Sequence, residues 1–232
     1  MELELNWEHR RRDLKRYKSQ TVDVIMHLVF EEHPDASAFQ LLSLNSPHSA
    51  RHFARTSSSF THLIELHLDF SNIPRNDPSY IPNQSCERLT SLYLNSVKMD
   101  VALQLLALFP DLKDYHATLF TKKMNLSQPE FAIKAMTQEN LEWFDWESSV
   151  WDNMVFQQLR FSNLKRFTLE VNHRNRNYNQ SDSDSSITSL INFIPASVVH
   201  LEVIMKKATP TFSTISSLRV LGSARYLSSA TI

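Results

Sequence analysis

The sequence predicts an α/β solenoid, a horseshoe whose parallel sheet lines the concave side and whose irregular helices lie on the convex side. Three observations carry that expectation. One six-residue apolar pattern recurs along the 232-residue chain. Its copies are nearly evenly spaced. Between two of them lies an apolar helix that a proline stops, as the return segment of a repeat should be.

The pattern is apolar-x-x-apolar-x-apolar. It reads Leu63-Ile-Glu-Leu66-His-Leu68, Leu89-Thr-Ser-Leu92-Tyr-Leu94 and Leu112-Lys-Asp-Tyr115-His-Ala117. Leu141-Glu-Trp-Phe144-Asp-Trp146, Leu164-Lys-Arg-Phe167-Thr-Leu169 and Val198-Val-His-Leu201-Glu-Val203 continue it. A weaker copy, Phe39-Gln-Leu-Leu42-Ser-Leu44, opens the series, and a truncated one, Leu218-Arg-Val-Leu221, closes it. The first residues are 24, 26, 23, 29, 23, 34 and 20 positions apart. Leucine-rich repeats run roughly 20–29 residues, so the spacing points to a leucine-rich-repeat solenoid. No single repeat buries its apolar side alone, and neighbours must stack to make a core.

In order along the chain, residues 1–38 hold an apolar helix, Thr21 to Glu32, expected to be an N-terminal helical cap or a divergent F-box remnant. Residues 39–232 hold the repeats. Each hexad predicts a short strand with alternate residues pointing inward. Met99 to Phe109 predicts the clearest helix, with Pro110 at its end. Phe131 to Met136 and Ile187 to Ile194 are shorter candidate helices, the second followed by Pro195. Asn172 to Ser186 is polar and low in complexity, a solvated loop insertion that accounts for the longest spacing. No polar, amphipathic C-terminal cap follows Leu221, which suggests either a piece of a longer solenoid or a frayed last turn.

Composition narrows the function. A formal charge of -1 gives no global electrostatic reason to bind nucleic acid or membrane. The single cysteine, Cys86, excludes an internal disulfide and any zinc site needing two thiolates. The single glycine, Gly222, removes the P-loop, the Rossmann fingerprint and the nucleophile elbow, which all need backbone that only glycine supplies. The N-terminus is acidic and lacks an apolar core, so no signal peptide is expected, and the longest apolar run, Val101 to Phe109, is too short for a bilayer. A cytoplasmic or nuclear protein is the expectation, with the sequons at Asn83, Asn125 and Asn179 read as chance. No cofactor and no catalytic residue are expected.

The third, fifth and seventh positions of each hexad should face the concave side. They are Glu65, His67, Asp69; Ser91, Tyr93, Asn95; Asp114, His116, Thr118; Trp143, Asp145, Glu147; Arg166, Thr168, Glu170; and His200, Glu202, Ile204. Seven are carboxylates and one is an arginine, so the face should attract a protein partner with a basic surface. Tyr93 and Trp143 are the candidate aromatic anchors, although Trp143 could instead fold against Trp146 or Trp151. His67 and His116 are too far apart to share a metal ion, whereas His116 beside Asp145 is a pair placed to titrate together. The basic run His9 to Lys18 reads as the solvated face of a helix or a localisation patch. Ser181 to Ser186 could accept phosphate, and Cys86 has no pattern of cationic neighbours that would activate it.

The stretch Leu105-Leu-Ala-Leu-Phe-Pro-Asp-Leu-Lys-Asp-Tyr115 resembles a known unit, a helix, then Phe-Pro, then an x-Leu-x-x-Leu strand. That unit belongs to the leucine-rich-repeat (ribonuclease-inhibitor-like) regions of F-box proteins, especially those of fungi. Phe161-Ser-Asn-Leu-Lys-Arg-Phe-Thr-Leu169 is similar. The likeness of pattern spans Phe39 to Leu221, without a signature motif. It implies that the repeats recognise a substrate while an N-terminal F-box engages a Skp1-type adaptor of a ubiquitin ligase. No Leu-Pro pair of the kind that opens an F-box precedes the repeats. The alternatives are a stand-alone repeat scaffold, an enzyme of unrecognised α/β fold with one deep pocket, and an RNA-binding protein using the basic N-terminal run.

Overall fold

Alternating apolar and polar side chains bury one face when they form a strand, and the hexads do so. In the computed structural model of the chain, the residues described are 2–5, 38–45, 47–71, 78–120, 136–148, 159–173, 194–208 and 213–221. They fall into two compact units, Met1–Leu112 and Lys113–Ile232. The class is mixed α/β with parallel strands.

In the first unit β1 (Glu2–Leu5), β2 (Leu41–Leu44), β3 (Glu65–Asp69) and β4 (Ser91–Val97) pair in sequence order, all parallel. The register aligns the hexads position for position. Leu42, Leu66 and Leu92 are successive partners, as are Leu44, Leu68 and Leu94, and all six are buried. The residues that open these hexads, Phe39, Leu63 and Leu89, are buried with them.

Two α-helices are found among the described residues of this unit. α1 (Pro47–Thr56) starts on a proline, whose missing N–H costs nothing at a helix start, and buries Ala50, Phe53 and Ala54. Phe53 packs on Phe60 at 5.4 Å between ring centroids. The sequence reading had placed no helix here. α2 (Met99–Leu108) matches the expected helix with Phe109 as its C-cap. It carries Asp100 in the first turn, where the helix dipole favours it, and buries Ala102, Leu103, Leu105 and Leu106.

In the second unit β5 (Asp114–Leu119), β7 (Trp143–Ser148), β9 (Arg166–His173) and β10 (His200–Ala208) run parallel. A separate parallel pair joins β6 (Met136–Gln138) to β8 (Leu159–Phe161). Here aromatics replace the leucines of the first unit. Tyr115, Phe144 and Phe167 are register partners stacked at 5.6 Å each. Trp146 stacks on Phe144 at 5.7 Å, and Phe161 of β8 tilts against Phe144 at 5.1 Å.

A backbone link repeats at five of the steps. The carbonyl of the second hexad residue accepts hydrogen bonds from two successive N–H groups of the next hexad. Gln40 O takes Ile64 and Glu65 at 2.8 and 2.9 Å, and Ile64 O takes Thr90 and Ser91 at 2.9 and 3.0 Å. In the second unit Lys113 O, Glu142 O and Lys165 O do the same for Glu142 and Trp143, Lys165 and Arg166, and Val199 and His200. This fixes the stagger between neighbouring strands and satisfies backbone groups where the chain enters each strand.

Four local expectations are corrected. Glu2–Leu5, inside the segment read as a helical cap, is a strand in the sheet. Met136, read as the end of a helix, is in β6 because its segment pairs residue by residue with β8. Asn172 and His173, read as loop, extend β9 opposite Lys206 and Lys207. The closing copy Leu218–Leu221 belongs to β11 (Ser213–Leu221), which pairs antiparallel with β10. Only residues 209–212 separate those strands, far fewer than the dozen or so a parallel crossover needs. The helices expected at Thr21 to Glu32, and at Ile187 to Ile194 up to its last residue, lie outside the described residues. So do residues 131–135 of the helix expected to end at Met136, the basic run His9 to Lys18, Ser181 to Ser186 and Trp151.

Candidate functional site

The faces opposite the leucine and aromatic rows carry the third, fifth and seventh hexad residues, as the alternation requires. In the first unit Glu65, His67 and Asp69 of β3 lie beside Ser91, Tyr93 and Asn95 of β4. His67 Nε2 sits 2.5 Å from Glu65 Oε1, and the imidazole stacks on Tyr93 at 4.4 Å between centroids. Asp69 turns toward its own loop and accepts from the backbone N–H of Ser71 at 2.9 Å and from its hydroxyl. Tyr93 is therefore half-covered by an imidazole, and Asp69 is committed to a local turn.

In the second unit the register builds three rows. Asp114, Trp143, Arg166 and His200 form the first; His116, Asp145, Thr168 and Glu202 the second; Glu147, Glu170 and Ile204, with Thr118 beside Glu147, the third. Trp143 is 50% exposed. Its ring carries the guanidinium of Arg166 at 5.7 Å from the centroid, so it stays on the polar face while Trp146 is buried on the other. Arg166 also reaches Asp145 Oδ1 at 4.0 Å and donates to Thr168 Oγ1 at 3.5 Å. The expected pair forms, with His116 Nδ1 3.7 Å from Asp145 Oδ2.

These contacts set the charge state of Asp145. Burial pushes its carboxyl up, but the neighbouring donors of His116 and Thr168, with the charge of Arg166, outweigh that and hold it below the usual carboxylate range. At the strand entrances Lys165 Nζ lies 2.6 Å from Glu142 Oε2, and that hydrogen bond lowers the Glu142 pKa. Among the described residues no three His, Cys, Asp or Glu side chains form a metal-ligating group. No helix among them is long and apolar enough to cross a membrane.

Glu202 departs from the expectation. It lies on the polar face, yet it is only 8% exposed, with His200 Nε2 3.9 Å from its Oε2. It is also flanked on both sides by strands, with Thr168 in β9 and Arg219 in β11 as its register partners. The antiparallel strand that the sequence reading missed thus makes β10 an interior strand. Glu147 and Glu170, also expected on this face, are more open than Glu202. They stand as direct partners across β7 and β9, and Thr118 Oγ1 donates to Glu147 Oε2 at 3.1 Å.

Cys86 is structural. It is buried, its thiol donates to Ser57 O at 3.4 Å, and burial pushes its pKa up to about 12. It occupies a position three residues before a hexad, where Phe60, Phe109 and Phe161 are buried ahead of theirs.

Set beside family profiles, characterised proteins and solved structures, the chain matches none of them. Its function therefore has to be read from its own residues.

Proposed function

We propose that the chain is a leucine-rich-repeat-type stack that binds a protein partner through the polar face of its strands, and that it is not an enzyme. The observation supporting this is the register. Hexads 23–29 residues apart pair position for position, so each step places the same apolar residues inward and the same polar positions outward. A repeat protein built on such a register would carry its function on the face the repeats share. The exposed indole of Trp143 among charged neighbours has the composition of an interface anchor. The resemblance to F-box repeat regions makes the substrate arm of a ubiquitin ligase the specific form of this role.

Affinity purification with the full chain as bait tests both levels. Wild type is compared with a variant carrying Glu65→Lys, Asp114→Lys and Asp145→Lys, its folding checked by circular dichroism. A partner recovered by wild type and lost from the variant is the expected result, and equal recovery with both removes the polar face as the binding surface. Co-purification of a Skp1-type adaptor and a cullin with both baits supports the ligase role. Its absence, with the partner retained, leaves a stand-alone scaffold.

A further inference from the structure

We infer that the outer edge of β11 pairs antiparallel with β11 of a second copy of the chain, about a two-fold axis at Ser217. This goes beyond the polar-face reading and does not depend on it.

Among the described strands β11 pairs with β10 alone, at the end of the strand order. An end strand presents a row of backbone N–H and C=O groups that another chain can use. Proteins usually blunt it with short length, lysine, proline or a bulge. β11 (Ser213-Thr-Ile-Ser-Ser-Leu-Arg-Val-Leu221) is nine residues long and contains neither lysine nor proline. It pairs one-to-one with β10 throughout, so it has no bulge. The core rows also run out to this strand. Tyr115, Phe144, Phe167 and Leu201 are successive register partners, and Val220 comes next. Ala117, Trp146, Leu169 and Val203 form a second row, followed by Leu218. The eight residues ahead of Val220 and Leu218 are all buried.

The occupant that fits this edge is β11 itself. A two-fold axis normal to the sheet brings two such strands together antiparallel and keeps the core rows of both copies on one side. The register centred on Ser217 is the one that pairs all nine residues, with Ser213 opposite Leu221 at each end. It sets Leu218 opposite Ser216 of the second copy and Val220 opposite Thr214, so each core row meets a small or β-branched residue. Arg219, the one charged residue of β11, falls opposite Ile215. The two arginines are therefore kept apart, whereas a centre on Arg219 would oppose them directly. A different protein would have to bring a matching strand, while the two-fold pair needs nothing beyond this sequence.

The test uses the full chain. Sedimentation equilibrium of wild type should show a concentration-dependent dimer. Ser217→Lys sets two like charges directly opposite each other and should weaken the dimer about fivefold, as should Ser217→Asp. An equimolar mixture of the two variants should regain it, a rescue that damage to the fold would not give. Directly opposed residues of an antiparallel pair have Cα atoms about 4.5–5.5 Å apart, within the range of a disulfide. With oxidised glutathione, Ser217→Cys should therefore cross-link into a covalent dimer. Wild type, whose Cys86 is buried, should not. Nor should Ser213→Cys, whose two thiols would lie about 26 Å apart along the strands. A wild type that stays monomeric at every concentration, or a dimer indifferent to charge at Ser217, overturns the inference. So does loss of the dimer in both charged variants without rescue on mixing, or cross-linking at Ser213 as fast as at Ser217.

Discussion

His116 of β5 and Asp145 of β7 face each other across one strand step, Nδ1 to Oδ2 at 3.7 Å, with Arg166 on the far side of the same carboxylate. Because Asp145 is held below the usual carboxylate range, it makes stability depend on pH with a definite sign. A carboxyl whose folded pKa is depressed contributes stability above its unfolded value of about 3.9. That contribution is lost as pH falls through the folded pKa. Urea midpoints measured from neutral to acid pH should fall more steeply below about pH 4 in wild type than in Asp145→Asn. Parallel curves would show that the cluster contributes nothing in the acid range.

Adjacent residues of β7 should respond in opposite ways to truncation. Phe144 is fully buried, stacked on Tyr115, Phe167 and Trp146 and tilted against Phe161. Phe144→Ala should cost about 3–5 kcal/mol, the usual range for a buried aromatic that leaves a cavity. Trp143, half exposed on the polar face, should cost about 1 kcal/mol or less on truncation, since it surrenders little more than a surface cation–π contact. Equilibrium urea unfolding of the two variants decides this. Similar losses would mean that the alternation does not describe how β7 sits.

How much of this was legible in the sequence follows from where the signal is strong. The hexads were legible because leucine at fixed offsets survives as a pattern even when the spacing varies, and the register confirms that alignment step by step. β1 escaped because only half of the pattern is there. Leu3 and Leu5 align with Leu42 and Leu44, and two leucines two residues apart do not by themselves read as a repeat. The buried position three residues before five of the hexads escaped because it is filled by Phe60, Cys86, Phe109, Gln138 and Phe161 in turn, too varied a set to read as a repeat. On the site, the rows of polar residues and the His116–Asp145 pair follow from period-2 alternation, and they were found. The burial of Glu202 was not, because it goes with an antiparallel neighbour that a search for parallel copies could not supply.

The end of β4 stores backbone strain that a substitution should expose. Ser96 has φ 54, the one positive-φ non-glycine residue among those described. The shift breaks the alternation and turns Val97 inward, where it is buried. Left-handed backbone costs an L-residue roughly 1–2 kcal/mol, and a β-branched side chain makes it worse. Ser96→Val should therefore destabilise by about 1–2 kcal/mol, also losing the hydroxyl that hydrogen-bonds with that of Ser71 at 3.1 Å. Asn95→Val, at an exposed strand position, should stay within about 0.5 kcal/mol. Thermal or urea melts of the pair compare them directly, and a larger loss at Asn95 would contradict the strained turn.

Cys86 should report on unfolding of the first unit. Its thiol is buried, donates to the carbonyl of Ser57, and has a pKa raised to about 12 by burial. The reactive species is the thiolate, so a folded chain at pH 8 offers almost none, and the buried sulfur is also out of reach of reagent. Modification by a maleimide or an aromatic disulfide should then be slow in native buffer and become fast across the same urea range in which circular dichroism is lost. Linkage gives the alkaline counterpart. A thiol whose folded pKa is raised contributes stability below its unfolded value of about 8.5 and loses it progressively as pH climbs toward 12. Cys86→Ala should flatten that alkaline decline, at the cost of some packing where Phe60, Phe109 and Phe161 fill the corresponding positions. Rapid labelling of the native chain at pH 8 would place Cys86 outside the core and remove the structural role assigned to it.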